Sequence, residues 1–162
     1  MNSARRQGLW IILVTIGLAL VLSILPLPAG WQVWRPEWSA LVLIYWALAL
    51  PERVGVGVAW TVGLLQDVLQ ATPLGAHALA YAVAAYLTIQ LYQRIRNVPI
   101  WQQALTVLVL MLLIRLILLV SRGLLAEPVN DWRFWLPAVT GTLIWPLVFA
   151  VLRFLRRYYR VS

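Results

Sequence analysis

The sequence predicts an all-α integral membrane protein, a six-helix transmembrane bundle forming a single polytopic domain over residues 1–162. Three observations predict it. Hydrophobic residues make up 63% of the chain and charged residues only 11%, where soluble domains carry about a quarter charged residues. The apolar residues gather in six runs, at about 9–25, 38–50, 54–69, 74–91, 101–120 and 134–152, divided by short polar breaks. No segments of about ten residues alternate apolar with polar, so a membrane barrel is excluded and helices remain to satisfy backbone groups in hydrocarbon.

Each run has its own punctuation. The first follows Arg5 and Arg6 and closes at Pro26 and Pro28; its basic, apolar start is signal-like, but no soluble domain follows, so it is expected to stay uncleaved. Pro36 opens the second run and Pro51 ends it, and only "PERV" separates it from the third. Both are short against the roughly twenty residues a helical crossing needs, so a re-entrant pair is the alternative to two crossings. Pro73 and Pro99 stand just before the fourth and fifth runs, where a helix start tolerates proline. Pro146 lies within the sixth, where a kink is expected.

All thirteen basic residues are arginines, and short arginine-rich loops stay cytoplasmic. Arg5, Arg6, Arg53, Arg94, Arg96, Arg153, Arg156, Arg157 and Arg160 fall on one side of this topology and Arg35, Arg122 and Arg133 on the other, so both termini are expected in the cytoplasm. Glu37, Glu127 and Asp131 bring the outer face close to neutrality. Trp31, Trp34, Trp38, Trp132 and Trp135 are expected in an outer interfacial belt, with Trp10 and Trp101 at the inner interface. The net charge of +8 sits beside helix ends, which suits anionic lipid better than nucleic acid.

The segment "TVGLLQDVLQATPLGAHALA" holds Asp67 and the chain's single histidine, His77, in apolar surroundings. Gly55, Ala59, Gly63 and Asp67 recur every fourth residue and share a helical face, where small residues let a neighbour approach closely. Asp67 then points at a packed helix near the outer end of the third span, away from lipid. The fourth span starts with Gly75 among many alanines, so a tight hairpin brings His77 near Asp67. Arg115, inside the fifth span and seven positions before Arg122, is a further candidate partner. Asp67, His77 and Arg115 are read either as a polar cluster fixing three helices or as a proton, ion or substrate site.

Catalytic chemistry finds little support. The serines at positions 3, 23, 39, 121 and 162 sit mostly at boundaries and suggest no triad. With one histidine, no cysteine and no second acid at helical spacing from Asp67, no metal, cofactor or thiol chemistry is expected. The "RVGVGVAW" glycines lack the Lys and Ser/Thr of a phosphate loop. A small-molecule transporter subunit is the rival class, with scattered polar groups such as Gln66 and Thr88 as its possible lining.

Nearly end to end, the residues resemble the MreD family of rod shape-determining proteins, in "RRQGLW", "WRPEWSALVLIYWALALPERVGVG", "DVLQATPLGAHALA", "AVAAYLTIQLYQRIRN", "WQQAL" and "GTLIWPLVFAVLR". The resemblance implies a non-enzymatic inner-membrane scaffold and regulator of the cell-elongation machinery. Its implied direct partner is the single-span protein MreC, with the MreB cytoskeleton, RodA and the class B penicillin-binding transpeptidase in the same complex. It also implies a fold similar to the substrate-binding subunits of energy-coupling-factor transporters. No catalytic residues carry over; Asp67, Leu74 and Gly75 fall in the family's most recognisable segment. A scaffold needs a surface for a partner helix and loops that set its angle. Trp34, Arg35, Pro36 and Trp38 on the outer side, and Glu52 and Arg53 in the inner turn, are the candidate contacts.

Overall fold

The computed structural model describes residues 2–126 and 131–161. Six α-helices follow one another: α1 (Asn2–Ile24), α2 (Trp38–Ala49), α3 (Val56–Gln70), α4 (Ala76–Arg96), α5 (Ile100–Leu124) and α6 (Leu136–Tyr158). There is no strand among the described residues. Three stretches, Arg5–Ile24, Ile100–Leu124 and Trp132–Tyr158, are long and apolar enough to cross a membrane. Helices outrun the apolar runs mainly where arginines begin, as at Arg94 and Arg96 of α4 and Arg153, Arg156 and Arg157 of α6. Long arginine stems keep the charge in water while the backbone continues helical.

The short second run becomes the hub of the bundle. At 12 residues α2 covers only about 18 Å at 1.5 Å per residue. Yet every residue from Ser39 to Ala49 is buried, because α1, α3, α4 and α6 all pack on it. A helix apolar all round belongs in a core, and one that meets protein on every side need not match the hydrocarbon thickness. Trp46 is fully buried, and its Nε1 donates to Thr15 Oγ1 of α1 at 2.9 Å.

The bundle has two polar ends. At one, the Leu50–Gly55 turn lines a cavity of about 750 Å³ with Arg5 of α1 and Tyr92 and Arg96 of α4. Val161 and Arg53 close on Gly8 at the same end. Asp67 near the far end of α3 lies with the start of α4, and Ser39 of α2 bonds Gln66 there. α2 and α3 therefore run from one polar end to the other, joined by a turn level with the start of α1. Arg35, Arg115, Arg122 and Arg133 line a cavity at the opposite end. Glu127 lies outside the described residues.

Candidate functional site

The hairpin of α3 and α4 is built around one carboxylate. Ala71 in left-handed backbone, φ 51°, ends α3, and Gly75, φ 97°, precedes α4. A helix start leaves amide donors without partners, and Gly75 has no side chain to cap them. Asp67 reaches across the turn and does so instead. Its Oδ2 accepts from the Gly75 and Ala78 amides at 2.9 and 3.4 Å, and its Oδ1 from the His77 amide at 3.0 Å. The Thr72 hydroxyl donates to Oδ1 at 2.8 Å and the His77 ring Nδ1 lies 2.7 Å from it. Five donors surround a carboxylate that is completely buried, at the positive end of the α4 dipole. His77, 4% exposed, is thus held with its ring Nδ1 against the carboxylate.

Small residues make this geometry reachable. A Cβ on Gly63 would sit 2.6 Å from both the Ala78 nitrogen and the His77 carbonyl oxygen, so the two backbones touch where the side chain is missing. Ala59, one turn earlier, is fully buried in the same packing. Gly55 and Gly75 do something else. Gly55 stands before α3 in extended backbone, and a Cβ there would meet nothing within 4 Å; the fourfold spacing runs past the end of the helix that would give it a face. Gly75 is likewise open, but its φ lies in the region L-residues avoid. Gly75→Ala is expected to cost about 1–2 kcal/mol, read as a lowered unfolding midpoint in mild detergent with helix content unchanged.

Arg115 does not meet Asp67. Its Nη2 lies 3.0 Å from Glu37 Oε1, and both side chains are nearly buried. Glu37 caps no amide with its side chain; it stands at the N-terminus of α2, within reach of α5. From there a hydrogen-bonded chain runs inward. Tyr81 Oη donates to Glu37 Oε2 at 3.4 Å, Tyr81 and Ser39 hydroxyls are 2.8 Å apart, and Ser39 Oγ donates to Gln66 Oε1 at 3.0 Å. The His77 ring packs edge-on against Tyr81, so the two polar groups adjoin. Glu37, Ser39, Gln66 and Tyr81 carry this arrangement beside the expected His77 and Arg115. The one sequence signal is that Ser39, Gln66 and Tyr81 each interrupt an apolar run and Glu37 borders one. Exchanging Glu37 and Arg115 together should recover part of the loss each single exchange causes, with a coupling of about 1 kcal/mol in a double-mutant cycle of detergent unfolding.

The candidate partner contacts divide by exposure. Trp34 is half exposed, whereas Pro36 is buried and offers no contact surface. Arg35 is turned inward, donating to the Ser23 carbonyl at 2.6 Å and to the Leu25 carbonyl, so it clamps the end of α1. Trp38, partly buried, borders an apolar groove of about 190 Å³ between α1 and α6. Glu52 is exposed beside Arg53 at the large cavity. Among the described residues, no three His, Cys, Asp or Glu side chains converge as a metal-ligand set would.

No solved structure matches the chain. A curated relative, the rod shape-determining protein MreD of Haemophilus influenzae, is 36% identical over 140 residues, which cover 86% of each protein. Residues 4–155 match the family described as rod shape-determining protein MreD. Extended over nearly the whole helical bundle, these likenesses assign the chain to the MreD family of rod shape-determining proteins, to which it belongs.

Proposed function

We propose that the chain is a non-enzymatic, multi-pass scaffold of the bacterial inner membrane that maintains rod shape by holding the cell-elongation complex together. It binds MreC directly and works with MreB, RodA and the class B penicillin-binding transpeptidase in lateral-wall peptidoglycan synthesis. Its six helices cross with both termini in the cytoplasm, where Arg5, Arg53, Arg96, Arg153 and Arg156 gather at one end of the bundle. In this reading the bundle shares its fold with the substrate-binding subunits of energy-coupling-factor transporters and uses it for assembly.

One observation carries the reading. The side chains of the polar network, Asp67, His77, Ser39, Gln66 and Tyr81, which are buried, and Glu37 and Arg115, which are nearly so, bond largely to groups on neighbouring helices, which is what fixed helix positions require. Meanwhile only 39%, 28% and 28% of the apolar stretches of the three long helices are buried, leaving wide faces for lipid and a partner's helix. Capture of the tagged chain from native membranes in mild detergent, followed by mass spectrometry, tests it. MreC is expected in the eluate. Recovery of ATPase and transmembrane subunits of a transporter, without MreC, would overturn the scaffold reading in favour of a transported ligand.

A further inference from the structure

We propose that the cavity beside the Glu37–Arg115 pair binds a phosphate-bearing anion, either a phospholipid headgroup or a free phosphate. The cavity measures about 440 Å³. Four guanidinium groups, of Arg35, Arg115, Arg122 and Arg133, face two carboxylates, of Glu37 and Asp131. Both carboxylates are engaged: Glu37 holds Arg115 and accepts from Tyr81, and Asp131 accepts the Arg133 amide at 3.0 Å. Arg35 is occupied by backbone carbonyls. Among the described residues, Arg122 and Arg133 pair with no carboxylate. The wall therefore keeps an excess of positive charge.

Its deeper groups are donors as well. Gln66 is 2% exposed and lines the cavity; its oxygen accepts from Ser39, which leaves its amide nitrogen as the donor. Arg115 Nε is buried and has no partner among the described residues. A buried donor left unmade is costly, and an anion accepting from Arg115 relieves that cost. The guanidiniums of Arg115 and Arg122 lie over the same ring, that of Phe134, at 5.0 and 5.7 Å from its centroid, which fixes both cations on one wall. A phosphate group offers more acceptor oxygens than a carboxylate and suits forked guanidinium donors. Exposed Trp31, Trp34 and Trp132 stand at the same end, the depth at which indoles meet lipid headgroups.

The test is native mass spectrometry of the full chain in phosphate-free detergent, titrated with dihexanoyl phosphatidic acid and, separately, with glycerol phosphate. Saturable binding of one ligand per chain is expected. Gln66→Glu keeps the acceptor for Ser39 but turns the amide donor into an acceptor, and Arg122→Gln removes a cation on a partly exposed side chain. Each is expected to weaken binding about tenfold or more, the loss of one charge-assisted hydrogen bond. Arg157→Gln at the opposite end leaves it unchanged. Binding of the lipid alone assigns the headgroup; equal binding of glycerol phosphate assigns the free anion. Absence of saturable binding by either ligand overturns the site, as does parent-like affinity in Arg122→Gln. Equal losses in Arg122→Gln and Arg157→Gln would instead show diffuse surface charge and also overturn it. Melting of each variant without ligand separates lost binding from lost fold; if Gln66→Glu does not fold, Arg122→Gln carries the test.

Discussion

Asp67→Ala is expected to destabilise the bundle by about 3–5 kcal/mol, the cost of taking a buried acceptor from several donors at once. The mechanism is the abandoned donors. With the carboxylate gone, the Gly75, His77 and Ala78 amides, the Thr72 hydroxyl and the His77 ring lose the acceptor they share. Water does not reach a site that is fully buried in the parent, and each unsatisfied group carries a desolvation penalty. Asp67→Asn should fall between parent and alanine, because one oxygen remains as acceptor while the new amide faces donors. His77→Gln should be milder again, since the three backbone amides keep their carboxylate. The measurement is equilibrium unfolding in mild detergent followed by circular dichroism. An Asp67→Ala midpoint equal to the parent's would refute the clasp. MreC capture should be compared at a temperature where both proteins are folded; retained capture there assigns Asp67 to folding, and lost capture assigns it to the interface.

The helical class and the chemistry of this hairpin were legible because they are local. Apolar runs mark the helices, and a short turn between residues 70 and 76 leaves Asp67 and His77 little choice but proximity. The other half of the polar site was not legible for an equally physical reason. Glu37 and Arg115 are separated by 78 positions, and nothing in their spacing states that a side chain at the start of α2 reaches one in the second half of α5. Hydropathy places Glu37 in a loop, and its backbone does lie just before α2, yet its side chain reaches a cation inside α5. Ser39, Gln66 and Tyr81 each look incidental alone, since which helices adjoin decides whether three isolated polar groups form a chain. The expected small-residue face is packed in its middle and stops short at its end. Ala59 and Gly63 are packed, but the helix begins at Val56, so Gly55 has no face to share.

Gly63 gives the second large effect. Hydrocarbon surrounds such bundles with material as apolar as their own side chains, so helix pairs in lipid associate through close packing and hydrogen bonds, without the drive of leaving water. At Gly63 the approach is closest: a methyl group would lie 2.6 Å from the Ala78 nitrogen and the His77 oxygen. Both are backbone atoms, so no rotamer change can accommodate it, and α3 and α4 must separate. Gly63→Ala is therefore expected to cost about 2–3 kcal/mol, the upper range for overpacking. Gly57→Ala in the same helix, where a Cβ meets nothing within 4 Å, should be neutral or stabilising by up to about 1 kcal/mol from helix propensity alone. Opposite signs at two glycines of one helix would exclude a general intolerance of α3 to alanine. The separation also stretches the Asp67 bonds to the Gly75, His77 and Ala78 amides, so Gly63→Ala and Asp67→Ala should combine to less than the sum of their separate effects. Full additivity would mean that close packing and the carboxylate clasp stabilise the hairpin independently, whereas a shortfall of 1 kcal/mol or so would show that the glycine is there to let the aspartate reach.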